Sequence, residues 1–227
     1  MFIASCGIPN FNPPPGTPSL RTIGTDILID LEPTNLERTQ GILILYKFYN
    51  GDSADDYAAE HALINTYING NQAYSDLIAR GYRIALTLGT VPDVPTFLFT
   101  DYPALFTDLV LEAGFESDLA GDYIIIQTVN FITQTGTGSL NIKIKNDTIN
   151  LVRNDGAGNE IASFGNLIPS DPIASDQNDL PEIMPPVDVE LNFAVFGYRS
   201  TFGEGITYSL PGILTVNDVI SKFTLSL

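Results

Sequence analysis

Leu140-Asn141-Ile142-Lys143-Ile144-Lys145-Asn146-Asp147-Thr148-Ile149-Asn150-Leu151-Val152-Arg153 is the stretch that decides the fold. Apolar and polar residues alternate with a period of two, Asn146-Asp147 interrupts them with turn chemistry, and the alternation then resumes. That is the pattern of a β-hairpin with one face in a core. A two-residue loop at Asn146-Asp147 predicts Ile144 opposite Ile149 and Ile142 opposite Leu151, all on one face.

Working outward, the same period recurs on both sides. Residues 123–133 form a long apolar strand, and at 187–198 Val189, Leu191, Phe193 and Val195 are expected inward, with Glu190 and Asn192 outward. Toward the start, Ile27, Ile29 and Leu31 alternate through a first strand. Residues 42–49 are apolar at nearly every position, which fits a strand covered on both faces. These two strands are expected to be neighbours in one sheet. A last strand at 206–216 carries Pro211, which marks an edge or a bulge.

Between residues 50 and 114 the period changes. Ser53 and Asp56 form a capping pair ahead of a helix at 57–68, with Tyr57, His61, Ile64 and Ile68 at helical spacing. A second helix is expected at 73–80 with Gly81 as its left-handed cap. A strand follows at 82–88, with Tyr82, Ile84, Leu86 and Leu88 on one side, then a third helix at 103–113 opened by Pro103. Residues 168–186 read as an acidic, proline-rich loop. The expected fold is mainly β: a sandwich formed by 19–50 and 187–227, with a long α+β insertion at 51–186.

Charge narrows the partners. The 227 residues carry 27 acidic and 10 basic side chains, a formal net charge of −17. Nucleic acid and anionic headgroups require clustered Lys and Arg, so both are excluded as partners. One cysteine, Cys6, and one histidine, His61, exclude an internal disulfide and a zinc cage of Cys and His. No window reaches the roughly 18 uninterrupted apolar residues that cross a bilayer as a helix.

Cys6 acquires its meaning from its neighbours. Ile3-Ala4-Ser5-Cys6 has the form of a bacterial lipobox, in which small residues precede an acylated cysteine and a charged, apolar leader is expected upstream. Residues 7–18 hold five prolines and two glycines, a composition that favours extended polyproline-like chain. Residues 1–18 are therefore expected to be lipobox remnant and tether, and 19–227 the folded domain. Acyl chains contribute about 0.8 kcal/mol per buried methylene, so two or three of them anchor a protein durably.

Three segments resemble a known family. Gly41-Ile42-Leu43-Ile44-Leu45-Tyr46-Lys47-Phe48-Tyr49 is similar to the "YYKFY" strand of spirochaete-type (leptospira-like) envelope lipoproteins with a fibronectin type III-like domain. Val195-Phe196-Gly197-Tyr198 with Tyr208-Ser209-Leu210-Pro211-Gly212 resembles their closing segment, and Leu77-Ile78-Ala79-Arg80-Gly81-Tyr82-Arg83 their "LxxxGYRR" stretch. The chain departs from them in its low lysine content. The resemblance implies a fibronectin type III/immunoglobulin-like sandwich and a cell-envelope lipoprotein of undefined role, with no catalytic residues to carry over; the outer membrane is its expected location.

Other chemistry is thinly represented. His61 lacks a neighbouring nucleophile signature, so a packing or surface role is expected rather than general-base catalysis. Asp52, Asp55 and Asp56 could supply oxygens to calcium, although their spacing is not that of an EF-hand and helix capping explains them. Asp171, Asp176 and Asp179 read as a solvated loop. Glu112, Glu116 and Asp118 could form the carboxylate pair of a glycoside hydrolase, but nothing in their spacing fixes one. Tyr46, Phe48, Tyr49, Tyr67, Tyr74 and Tyr82 could line a ligand surface, against the ordinary role of tyrosine at sandwich strand edges.

The expected function is a membrane-anchored envelope lipoprotein, lipid-attached at Cys6, without cofactor, and non-catalytic: adhesion, structure, or binding of a protein or glycan. A virion or phage structural protein is the alternative, and a secreted carbohydrate-active hydrolase the more remote one.

Overall fold

The computed structural model describes residues 13–23, 26–31, 38–50, 54–87, 95–101, 124–129, 139–144, 147–154, 160–163, 187–201, 205–214 and 222–225. Alternating apolar residues pair locally first. β1 (Ser19–Ile23) and β2 (Asp26–Asp30) form an antiparallel hairpin with Thr22 opposite Ile27. The other edge of β2 takes β7 (Ile124–Val129), which pairs with β8 (Ser139–Ile144), β8 with β9 (Asp147–Asn154), and β9 with β10 (Glu160–Ser163). β5 (Leu86–Thr87) completes this first antiparallel sheet by pairing with β9. Strands from 51–186 thus share a sheet with strands from 19–50, so the edge of the expected insertion is not a boundary between sheets.

The second sheet is built on one long ladder. β3 (Gly41–Asn50) pairs antiparallel with β11 (Val187–Thr201) from Val189↔Asn50 to Tyr198↔Gly41. Along the far edge of β11 lie β14 (Lys222–Leu225), β13 (Gly212–Ile213) and β12 (Gly205–Tyr208) in succession. The expected last strand is broken at Ser209-Leu210-Pro211, where Ser209 turns from ladder to clasp. Its Oγ accepts from Gly197 N (2.8 Å) and donates to Leu210 O (2.7 Å). β4 (Arg83–Ile84) and β6 (Phe97–Leu98) flank β3.

The two sheets face each other across a shared core, as in a β-sandwich. Ile27, Ile29, Ile124, Ile126, Leu140, Ile142 and Leu151 from the first meet Ile42, Ile44, Tyr46, Phe97, Phe193 and Val195 from the second. β2 and β3 are therefore not sheet neighbours, contrary to the sequence expectation. Their core-facing residues oppose each other across the core, an arrangement that apolar pattern alone does not distinguish from side-by-side pairing. Tyr46 ties the layers: fully buried, its hydroxyl accepts from Asn154 N (3.3 Å) and reaches Asn154 O (3.5 Å) on β9.

Three further expectations are corrected. The hairpin register is Ile142↔Ile149 and Ile144↔Asp147, so the two-residue connection is 145–146 rather than 146–147. The shift is by two positions on β8. A period of two preserves the apolar face under such a shift, so side-chain pattern alone does not resolve it. The strand expected at 82–88 is two strands in different sheets, because the chain crosses at the buried Ala85. Ala85 N donates to Ile44 O (2.9 Å), while Thr96 Oγ1 accepts from Ile44 N and donates to Ala85 O, both at 2.9 Å. One hydroxyl thus closes the gap between β4 and β6. Finally, the chain packs earlier than the expected tether boundary at residue 18. Pro15, Gly16 and Pro18 are buried, Gly16 N donates to Thr39 Oγ1 (3.1 Å), and the carbonyls of Gly16 and Pro18 lie where a Cβ on Gly197 or Gly212 would stand. Only glycine admits a crossing chain so close.

Two helices cover the outer face of the second sheet. α1 (Ala54–Ile64) and α2 (Gly70–Ala79) place Ile64, Ala73 and Leu77 against Leu43, Leu45, Ala194 and Phe196. This third layer explains why β3 and β11 are apolar on both faces, and why Asn192, expected outward in water, is buried. α1 stops at Ile64, short of the expected 68, because Thr66 folds back on Leu63 O through both its amide (2.8 Å) and its hydroxyl (2.7 Å). α2 ends as expected on Gly81, whose φ of 92° is the left-handed conformation. The helix expected at 103–113, the loop at 168–186, and residues Ser53 and Leu88 lie outside the described residues.

Candidate functional site: the seam between α2 and β12

Each helix is fixed to the sheet by a polar contact. On α1, Glu60 accepts from Lys47 Nζ (2.8 Å), and both side chains are mostly covered, at 14% and 17% exposure. Lys47 also lies over the Tyr82 ring at 5.7 Å, and Asn192, its cross-strand partner, donates to the Tyr82 hydroxyl (3.1 Å). A pair so covered holds α1 in one register, since removing either partner leaves the other charge poorly solvated. His61, the next residue, sits 3.0 Å from Leu214 O through Nε2 and 3.3 Å from Asn65 Nδ2 through Nδ1. A carbonyl only accepts, so Nε2 carries the proton and Nδ1 accepts from the amide. The imidazole is a clasp between α1 and the end of β13.

α2 is fixed to the edge strand by its first turn. Asn69, with φ −135° and ψ 124°, caps the helix by accepting from Gln72 N at 3.1 Å. Gly70 lies against the backbone of Tyr208 and Ser209, where a Cβ would overlap Tyr208 O, Ser209 O and Ser209 C. Asn71 then does the work of a neighbouring strand. Its Nδ2 donates to Ile206 O (3.1 Å) and its Oδ1 accepts from Tyr208 N (2.8 Å). One outward carbonyl and one outward amide of β12 are thereby occupied, which hinders pairing of that edge with another chain. One turn further along, Tyr74 stacks on Tyr208 at 4.4 Å and 29°, and Phe196 stands edge-on to both. Tyr67, at the start of the turn, meets Asp76 and Arg80. Burial first, and then the Asp76 carboxylate, raise its phenol above the ordinary value.

The residues expected to carry function divide. Tyr67 and Tyr74 are half-buried at this seam, whereas Tyr46 and Tyr82 are core residues held by hydrogen bonds and line no surface. The side chains of Phe48 and Tyr49 lie outside the description, as do Cys6, Asp52, the acidic groups Glu112, Glu116 and Asp118, and Asp171, Asp176 and Asp179. Asp55 and Asp56 fall in the first turn of α1. Among the described residues, no group of three or more His, Cys, Asp or Glu could hold a metal, and no helix is long and apolar enough to cross a membrane. Sequence reading missed Asn71, Ile206 and Tyr208. A signal for them was present: in an acidic chain, no Asp, Glu, Lys or Arg occurs between Glu60 and Asp76 or between Glu204 and Asp218, and these two runs meet at the seam.

What the fold defines is a class, a mainly β protein of antiparallel sheets with a helix pair laid on one of them. No family model, curated protein or solved structure matches the chain.

Proposed function

We propose that this is a lipid-anchored protein of the bacterial cell envelope, acylated at Cys6 and placed at the outer membrane, with a non-catalytic binding or structural role. On this reading the sandwich is of fibronectin type III-like kind. The observation that carries it is Ile3-Ala4-Ser5-Cys6 followed at once by a proline-rich run whose last residues dock on the sheet. Pro15 is the first buried residue of the described chain, nine positions after Cys6 in sequence. A cysteine so placed can be acylated while the domain is folded. The non-catalytic role is supported by His61, which is engaged at both ring nitrogens.

The test is metabolic labelling with radioactive palmitate in a lipidating bacterial host, using the full open reading frame, followed by detergent phase partition. The protein takes up label and enters the detergent phase, and Cys6→Ser abolishes both. Equal partition of the serine variant refutes the anchor.

A further inference from the structure

We propose that Lys47 and Asn192 join covalently, through an amide bond between their side chains that the folded chain forms on itself. The groups such a reaction needs lie together beneath α1. Lys47 on β3 and Asn192 on β11 stand directly opposite each other in the ladder, on the face that the helices cover. Side chains so paired start about 4.5 to 5.5 Å apart at Cβ, a gap that a lysine tail spans. Tyr82 marks their meeting point: its ring centre lies 5.7 Å from Lys47 Nζ, and its hydroxyl accepts from Asn192 Nδ2 at 3.1 Å. Glu60 supplies the proton acceptor, with its carboxylate 2.8 Å from the nucleophilic nitrogen. The last group is backbone. The amide of Phe193 donates to Asn192 Oδ1 at 2.8 Å, which polarises the carbonyl under attack and steadies the negative charge that develops on its oxygen.

The chemistry closes without an outside reagent. Glu60 takes a proton from the Nζ ammonium, and the freed lone pair attacks Asn192 Cγ. The bond from Cγ to Nδ2 then breaks as a second Nζ proton reaches the departing nitrogen. Of the three Nζ hydrogens, one stays on the new amide, one leaves in ammonia and one passes through Glu60 to solvent. Nothing is oxidised or reduced.

Placement favours this step over hydrolysis. Asn192 is 5% exposed and Tyr82 1%, so water, the competing nucleophile, is kept from Cγ. The ladder holds amine and amide side by side, and well-oriented neighbours react as if present at about 10⁵ to 10⁸ M. An ion pair alone accounts for Lys47 and Glu60. It does not account for a buried asparagine set across from them, with its carbonyl polarised and its nitrogen held on a tyrosine. In a chain whose single cysteine can close no internal disulfide, the bond locks together the two central strands of the second sheet.

The inference does not rest on the lipid anchor, and its test removes that variable. The full chain carrying Cys6→Ser is purified and its intact mass measured under denaturing conditions. The mass falls short of the sequence by one ammonia, and protease digestion releases a branched peptide containing both Lys47 and Asn192. Lys47→Arg, which keeps a cation for Glu60, and Asn192→Ala each show the full mass of their own sequence. Both also migrate more slowly than the looped parent on a denaturing gel. Glu60→Gln keeps the side-chain shape but accepts no proton, and it retains the ammonia while near-ultraviolet circular dichroism verifies its fold. A parent of full sequence mass overturns the proposal and leaves Lys47 as an ion-pair clasp. A deficit that persists in Lys47→Arg is a succinimide formed by Asn192 with its own backbone, and overturns it equally. So does a bond that forms as completely in folded Glu60→Gln.

Discussion

Gly70→Ala sets helix propensity against packing, and the structure decides the sign. Gly70 opens α2, and in an isolated helix alanine is favoured over glycine by about 0.8 to 1 kcal/mol. Here the added methyl overlaps the carbonyl oxygens of Tyr208 and Ser209 and the carbonyl carbon of Ser209. All three are backbone atoms that no rotamer change can move. Relief requires α2 to back away from β12 by something on the order of 1 Å, a strain that costs about 1 to 3 kcal/mol. The same shift stretches the Asn71 bonds to Ile206 O and Tyr208 N, each contributing about 0.5 to 1.5 kcal/mol. It also parts the stacked Tyr74 and Tyr208 rings, at about 0.5 to 1.5 kcal/mol. After the propensity gain is offset, a net loss of about 1.5 to 6.5 kcal/mol remains. Equilibrium urea unfolding followed by far-ultraviolet circular dichroism reads it as a lower midpoint at unchanged slope. Ser75→Ala, exposed on the same helix, provides the opposite control, gaining a few tenths of a kcal/mol. If Gly70→Ala proves as stable as the parent or more so, the close approach of α2 to β12 is wrong.

Tyr46→Phe leaves the buried Asn154 amide and carbonyl without the hydroxyl that joins the two sheets, and lowers stability by about 1 to 3 kcal/mol in urea titrations. A change below a few tenths would show that these bonds contribute nothing. Gly197→Ala and Gly212→Ala each displace residues 13–18 from the sheet, so amides there exchange with deuterium faster than in the parent, while those of β8 do not. Unaltered exchange at Gly16 contradicts the docking. Tyr67 ionises later than an unperturbed phenol in ultraviolet titration at alkaline pH, and Asp76→Asn brings its transition down. With the folded value raised above the unfolded 10.0, the contribution of Tyr67 is fully present below pH 10 and is lost as pH rises through the folded value. An Asp76→Asn titration that overlays the parent sinks that assignment.

Much of the sandwich is legible in sequence because a one-sided core writes itself as alternation. Ile27 and Ile29, Ile142 and Ile149, and Phe193 and Val195 fall on core-facing positions read directly from a period of two. Sheet membership is less accessible, since β2 and β3 carry the same pattern whether they lie side by side or face to face. The crossing at Ala85 was hidden for a related reason: Tyr82, Ile84 and Leu86 alternate smoothly, while the change of sheet is enforced by Thr96, distant in sequence. The helix layer was half legible. Gly81 announced its cap, but the end of α1 depends on Thr66, and the glycine at 70 is required by strands that arrive much later in the chain. At the seam the tyrosines drew attention and the amide of Asn71 did not. Its partners are backbone groups of β12, which leave no trace in side-chain pattern.

The ladder between β3 and β11 has a consequence for the order of events during synthesis. Ile44 and Val195, which face each other there, are about 150 positions apart, so the second sheet cannot close until nearly the whole chain is available. Until then Gly41-Ile42-Leu43-Ile44-Leu45-Tyr46 is an unmatched apolar strand open on both edges, a template for aggregation. The hairpin of β1 and β2 and that of β8 and β9 close locally and early, whereas the strand at the centre of the second sheet waits. A chain built this way leaves the centre of its second sheet exposed until late in its own production, so the last strands to be made decide when that apolar ribbon is hidden.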